Sequence, residues 1–214
     1  MKLISFTTTA RAGNARAPGV LAKLLKSKKL PESFACAEQV HGHKIVVVPA
    51  LKAQKKYDGA DGLITDQPNQ PLVIFTADCV PVFLSDEKNR VVGVLHAGWR
   101  GVCARILGKA VRIIRQRWGI PAKQLKVWLG PSIGPCCFEV QWDVARYFPK
   151  TRRPKMDRWT VNLAEELHLQ ARRLGLQFPK MSSSTNCTMH ARQFHSYRRD
   201  KTDKRMASII IKNF

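Results

Sequence analysis

Acidic side chains are scarce in this chain. Its 214 residues include 15 Asp and Glu against 37 Lys and Arg, and the formal net charge is +22 at pH 7. Such an excess attracts polyanions and phosphorylated ligands alike. Residues 51–100 carry equal numbers of basic and acidic side chains, so the excess belongs to the rest of the chain. A solvated basic surface explains this charge as well as a polyanionic partner does.

Long apolar runs are also absent. A membrane helix needs about 18 or more consecutive apolar residues, whereas the longest runs here, such as 45–48 and 80–84, have the length of strands. The first residues lack the apolar stretch of a secretory signal. We therefore expect a cytoplasmic protein that does not contact membranes. Its six cysteines are then thiols, metal ligands or catalytic groups before they are disulfides.

Glycine and proline, at 13 and 12 residues, are too few for a collagen-like or low-complexity chain. Runs of β-branched residues predict strands at 3–8, 44–50, 72–77, 80–85, 91–97, 125–129 and 207–212. Helical periodicity predicts helices at 19–30, 101–118, 141–148 and after Asn162, and the polar stretch 150–158 is expected to be a loop. This irregular alternation predicts one α/β (mixed α+β) domain over residues 1–214.

Two histidines and one cysteine stand at the ends of predicted strands or beside glycine. Cys79 precedes one strand and His96 ends the next, so antiparallel pairing would bring them together, and His41 lies in the segment QVHG. Two imidazoles and a thiolate suit zinc, and three protein ligands leave a fourth position open. No local metal motif such as CxxC is present. A buried Cys79 and a core His96 without metal remain the alternative.

Other features allow further interpretations. Gly98 and Gly101 permit a tight turn into a helix, where free N–H groups and Arg100 would bind phosphate. Cys79 with a histidine base and Asp78 would equally make a thiol hydrolase. The basic segments would suit RNA, but aromatic residues do not interleave with them. The adjacent pair Cys136 and Cys137 is interpreted as free or packed thiols.

Six segments together resemble one known family. They are QVHG (39–42), DGLIT (61–65), TADCVPV (76–82), HAGWRG (96–101), GPSIGPCCFEV (130–140) and SYRRDKTDKRMAS (196–208). In this order they closely resemble the laccase-domain, or multicopper polyphenol oxidase, family, from about residue 34 to the C-terminus. That family is understood as zinc-dependent purine nucleoside phosphorylases, and it includes the bacterial peptidoglycan editing factor.

The resemblance implies a single domain with mixed β-sheets packed between helices. It implies zinc, with copper as an alternative ion, held by His41, Cys79 and His96. It also implies phosphorolysis of adenosine, inosine, guanosine and methylthioadenosine, and deamination of adenosine. The expected partners are therefore purine nucleosides and phosphate rather than nucleic acid, and the expected state is a monomer.

Residues 1–33 are divergent and shortened relative to the family. Arg11 stands near the position of the family's usual arginine, so Arg11 and Arg100 are the predicted phosphate or substrate ligands. Cys79, Asp78 and Arg100 are the predicted catalytic residues, with Asp78 as proton carrier. Two alternatives stay open, namely a cysteine hydrolase or amidase that edits a peptidoglycan precursor, and a basic RNA- or polyanion-binding protein.

Overall fold

A computed structural model describes residues 2–178 and 187–213. The strands are β1 (Lys2–Thr7), β2 (Ala35–Glu38), β3 (Ile45–Val47), β4 (Lys55–Asp58), β5 (Gly62–Thr65), β6 (Leu72–Thr76), β7 (Val80–Asp86), β8 (Val92–Ala97), β9 (Leu125–Leu129), β10 (Glu139–Val140), β11 (Arg152–Lys155), β12 (Arg158–Val161) and β13 (Met206–Asn213). The helices are α1 (Val20–Ser27), α2 (Trp99–Cys103), α3 (Ile106–Trp118), α4 (Trp142–Ala145), α5 (Leu163–Leu174) and α6 (Tyr197–Asp200).

The described strands form two five-stranded sheets and a smaller one. The first sheet has the order β1-β13-β6-β2-β4, the second β3-β5-β8-β7-β9, and the third β10-β12-β11. Both large sheets are mixed. In the first, β2 runs parallel to β4 and β6 while β13 runs antiparallel to its neighbours, and in the second only the β3–β5 pair is parallel.

The two large sheets pack face to face between helices. Ile74, Phe83 and Ile210 belong to the apolar layer between the sheets. Leu21 and Leu25 of α1 cover the outer face of the first sheet, and Ile114 of α3 with Leu167 of α5 covers the outer face of the second. The prediction of a mixed α/β single domain, with sheets between helices, is therefore confirmed.

Burial on both faces explains why the central strands lack an alternating pattern. Leu72 and Ile74 of β6 face the layer between the sheets, whereas Val73 and Phe75 face α1. Every residue of β7 and β8 is buried. Continuous apolar runs are what such strands require.

Some local predictions were wrong. The helix expected at 101–118 is two helices, α2 and α3, because Arg105 adopts φ +56° between them. The expected loop at 150–158 instead forms β11 and enters β12, which pair as a hairpin. The helix expected at 141–148 is the single turn α4. No helix in the described ranges is long and apolar enough to cross a membrane.

Candidate metal centre

His41, Cys79 and His96 converge on one point. One ligand atom from each lies within 4.8 Å of the others. Cys79 directly precedes β7, and His96 on the antiparallel β8 pairs with Pro81 two residues further on, as the predicted pairing requires. His41 follows β2 with φ +59°, and its ring lies edge-on to that of His96, with centroids 4.9 Å apart.

Asp61 orients two parts of this cluster. Its side chain is fully buried. Oδ1 lies 2.8 Å from His96 Nδ1, and Oδ2 accepts hydrogen bonds from the backbone N–H groups of Gly42 at 2.7 Å and Val40 at 3.3 Å. A carboxylate on Nδ1 fixes the histidine tautomer and leaves Nε2 free for a metal. The same carboxylate holds the backbone on both sides of His41.

Two glycines of the segment HAGWRG make room for the cluster. A Cβ on Gly98 would lie 3.2 Å from both Cys79 Sγ and His41 Cδ2. A Cβ on Gly101 would lie 2.9 Å from the carbonyl oxygen of Gly42, which is closer than real Cβ contacts. The turn from β8 into α2 therefore needs glycine at Gly101 so that the His41 loop can approach, whereas a side chain at Gly98 would crowd the Cys79 thiol and the His41 ring.

The electrostatics of the cluster favour a thiolate beside an imidazolium. Burial would raise the pKa of Cys79, but His96 and His41 lower it to about 6. Burial would lower the pKa of His96, but the Cys79 thiolate and Asp61 raise it to about 9. Burial likewise opposes the ionised form of Asp61, yet its hydrogen bonds from His96 and Gly42 keep its pKa below the usual range. Nitrogen and thiolate donors so placed fit a borderline-soft metal ion.

A cavity of about 500 Å³ opens beside these three residues. Phe75, Phe138 and Tyr197 contribute aromatic walls. Its basic residues are Arg16, Arg198 and Arg205.

These arginines are held in different ways. The Arg198 guanidinium donates two hydrogen bonds of 3.1 Å to the Glu139 carbonyl. Burial and the neighbouring positive charge of Arg205 lower the pKa of Arg16. The guanidinium groups of Arg16 and Arg205 therefore repel each other, and an anion bound between them would relieve that repulsion.

The predicted catalytic and phosphate-binding residues are placed unevenly. Asp78 lines the cavity, and its two oxygens accept hydrogen bonds from Thr188 Oγ1 at 2.6 Å and from the Arg198 backbone N–H at 2.7 Å. Arg11 lies exposed in a 3-10 turn, and Arg100 lies exposed over the Trp99 ring at 4.3 Å. Neither is among the described residues that line the cavity.

Sequence reasoning missed Asp61, Arg16 and Arg205, and it noted Arg198 only as part of a second arginine pair that a solvated face would explain equally well. Within the sequence Asp61 is half of an Asp-Gly turn signal, although DGLIT is one of the six segments. Arg16 lies in residues 1–33, outside the six segments that carry the resemblance. Arg198 and Arg205 lie within SYRRDKTDKRMAS, so that segment was the available signal for both.

A family model described as multi-copper polyphenol oxidoreductase laccase matches residues 19–213. Curated relatives are similar to this chain over most of its length. A purine nucleoside phosphorylase of Haemophilus influenzae is 30% identical over 200 residues, covering 87% of this chain and 78% of the relative. The purine nucleoside phosphorylase YfiH of Escherichia coli is 32% identical over 194 residues, covering 88% and 77% of the two chains.

The fold of this chain is also similar to that of solved structures. The crystal structure of YlmD from Geobacillus stearothermophilus superposes with a TM-score of 0.88 at 28% identity, covering 99% of this chain and 92% of that one. A hypothetical protein YfiH of Bacillus licheniformis gives a TM-score of 0.88 at 26% identity, with 99% and 93% coverage. Sequence and fold thus agree over nearly the whole chain, which belongs to the multi-copper polyphenol oxidoreductase laccase family.

Proposed function

We propose that this protein is a zinc-dependent purine nucleoside phosphorylase that also deaminates adenosine. The observation that carries the proposal is the position of His41, Cys79 and His96 at the wall of a cavity that also presents three arginines. The curated relatives named purine nucleoside phosphorylase support the same class.

The donor set supports zinc in this site. Two imidazoles and one thiolate are typical zinc ligands, and three protein ligands leave a position open toward the cavity. Copper accepts imidazole and thiolate as well, so it is the competing ion. When bound, zinc would supply Lewis acidity at the cavity wall, which is the chemistry that both proposed reactions would use.

The cavity residues account for phosphorolysis. Phe138 and Tyr197 offer apolar faces to a purine, and Arg16 and Arg205 offer guanidinium groups to phosphate. A phosphate oxygen forms a bond to C1′ of the ribose while the bond from C1′ to the purine nitrogen breaks. The electron pair of the broken bond stays on the purine nitrogen, and the departing base takes up a proton. Holding the anion near C1′ also stabilises the positive charge that develops on the sugar.

Asp78 lines the cavity and also holds its neighbouring segments in place. Because both oxygens already accept hydrogen bonds, from Thr188 and from Arg198, its carboxylate holds the segment that carries Arg198. Its predicted role as proton carrier stays a prediction. The geometry gives more support to a positioning role.

A nucleoside panel assayed with and without phosphate tests the function. Free base and ribose 1-phosphate should form only when phosphate is present, and inosine should form from adenosine without it. Arg16→Ala and Arg205→Ala should each raise the KM for phosphate about tenfold or more, because each removes a charge-assisted hydrogen bond of roughly 1.5–3 kcal/mol. Arg11→Ala and Arg100→Ala are the matched controls. A larger effect in the controls would favour the sequence-based assignment of those two residues.

A cysteine hydrolase is the second candidate, because Cys79 has a lowered pKa of about 6 beside His96. A thiolate bonded to a metal reacts slowly, so iodoacetamide should label Cys79 slowly in zinc-loaded protein and faster after chelation. Rapid labelling of the zinc-loaded protein, with no nucleoside turnover, would favour the hydrolase and a peptidoglycan precursor as substrate.

A further inference from the structure

A second group of ligand side chains lies outside the cavity. One ligand atom from each of four residues lies within 4.8 Å of the others, and these residues are Cys136, Cys137, Cys187 and His190. Cys137 Sγ is 3.2 Å from His190 Nε2, and Cys136 Sγ is 3.9 Å from His190 Nδ1. All three cysteines are free thiols.

The backbone around this group is shaped to bring it together. Gly134 N–H donates a hydrogen bond of 3.2 Å to Cys187 Sγ, which stabilises negative charge on that sulfur. A Cβ on Gly134 would lie 3.3 Å from both Cys136 Sγ and Cys187 Cβ, so glycine permits the close approach of the two segments. The N–H groups of His190 and Ala191 donate to the Cys187 carbonyl, which turns His190 back toward the sulfurs.

We propose that Cys136, Cys137, Cys187 and His190 form a second, structural zinc site. Three thiolates and one imidazole are a donor set of closed, four-coordinate structural zinc sites. In such a tetrahedron the ligand atoms lie roughly 3.5–3.8 Å apart. The two short contacts reach different ring nitrogens of His190, so the exposed imidazole has to turn until one nitrogen faces the sulfurs, and one ligand atom of each residue already lies within 4.8 Å of the others. Four protein ligands leave no position for substrate, in contrast to the His41–Cys79–His96 centre.

The site joins two segments that support the cavity. Thr188, next to Cys187, donates to Asp78 Oδ1, and Ile133 N–H donates to the Asp78 carbonyl at 2.9 Å. Ile133 and Phe138, on either side of the cysteine pair, line the cavity. Zinc at this cluster would therefore fix the cavity wall without contacting substrate.

The two ligand sets share no residue, so the second site can be tested independently of the proposed function. The test is to chelate the protein, reconstitute it with zinc alone and measure its metal content. We expect about two zinc ions per chain in the wild type and about one in either Cys79→Ala or Cys187→Ser. Cys103→Ser removes a half-buried thiol that belongs to neither set, so this control should keep both ions.

His190→Gln guards against a folding defect, since this side chain is exposed and lies outside the core. It should lower the zinc content while the His41–Cys79–His96 centre keeps its ion. Cobalt substitution identifies the ligands: the thiolate-to-cobalt absorption should fall far more in Cys187→Ser than in Cys79→Ala. One zinc in the wild type, unchanged in Cys187→Ser, would overturn the proposal. A disulfide among these cysteines in the freshly purified protein, seen as a mass deficit, would overturn it as well.

Discussion

Asp61 contacts two of the three ligand-bearing segments through its two carboxylate oxygens. Oδ1 meets His96 Nδ1 and Oδ2 holds the backbone around His41. Asp61→Asn keeps the shape but removes the negative charge that makes His96 a better ligand. We expect zinc affinity to fall about 10- to 100-fold, measured by competition with a chromophoric chelator.

Asp66→Asn is the matched control for this change. Asp66 also accepts hydrogen bonds from side chains, those of Trp118 and Gln67, but it contacts no residue of the metal centre. Its zinc affinity should stay at the wild-type value. Equal losses in both variants would mean that the effect is general destabilisation rather than orientation of His96.

Zinc uptake should depend on pH through Cys79 and His96, the two candidate ligands whose pKa values the cluster shifts. Since the pKa of His96 is raised to about 9 and that of Cys79 is lowered to about 6, binding displaces one proton between these values. Affinity should therefore rise about tenfold per pH unit from pH 6 to 9 and more steeply below pH 6, where Cys79 is also protonated. Above pH 9 it should level off. A titration series across this range checks the two slopes, and a flat profile from pH 6 to 9 would contradict the imidazolium assignment.

The residue types of the candidate metal centre could be predicted from sequence, but its supporting contacts could not. Two consecutive apolar runs predicted paired strands, and the pairing of β7 with β8 does bring Cys79 and His96 together. Asp61 escaped notice because an Asp-Gly pair ordinarily indicates a turn, and its role depends on a buried contact to His96. The Cys187 and His190 partners of Cys136 escaped for the same reason, since only tertiary folding brings them together.

The turn between β8 and α2 packs against the loop that carries His41, with Gly101 close to the Gly42 carbonyl oxygen. Gly101→Ala would place a Cβ 2.9 Å from the Gly42 carbonyl oxygen, so the loop must move away. We expect a decrease of about 1–3 kcal/mol in the free energy of unfolding and weaker zinc binding, measured by denaturant unfolding and metal competition.

Gly108→Ala serves as the control, because Gly108 lies within α3 and its Cβ would meet only Arg105 Cβ at 4.0 Å. Alanine favours helix more than glycine does, so this variant should be more stable by about 0.5–1 kcal/mol. Zinc affinity should not change. The opposite signs of the two Gly→Ala changes separate crowding at the turn from a general effect of the added methyl group.

Helix ends followed from sequence more reliably than short strands without apolar runs did. Asn162 Oδ1 accepts the Glu165 N–H as the capping pattern predicts, and Gly119 ends α3 with φ +65°. The strands β2 and β4 were missed because they are short and carry small or charged residues, ACAE and KKYD. Their pairing with the first sheet, rather than any apolar alternation, makes them strands.

Positive charge is distributed over the whole molecule rather than gathered at the metal centre. The candidate ligands Cys79 and His96 come from residues 51–100, where basic and acidic side chains are equal in number. By contrast, α1 and α3 present exposed basic side chains on opposite outer layers. The layered fold thus keeps most of the excess charge on its outside. The cavity arginines are the exception, and they belong to the flanking parts of the chain.

Polyanion binding by such a surface should be peripheral and sensitive to salt. For a single-stranded RNA of mixed sequence, log K should fall linearly with log salt concentration, and removing one phosphate-binding side chain should reduce the slope by about 0.7. A triple Lys→Gln variant at α1 should weaken binding about as much as a triple Arg→Gln variant on α3, because no single face reads the RNA. The substituted residues are Lys23, Lys26 and Lys29 on α1 and directly after it, and Arg112, Arg115 and Arg117 on α3.

Zinc content, and turnover of a neutral nucleoside at saturating phosphate, should change little over the same salt range. Sequence-selective RNA binding that survives ~0.5 M salt and is abolished in only one of the two variants would instead establish a dedicated nucleic-acid surface.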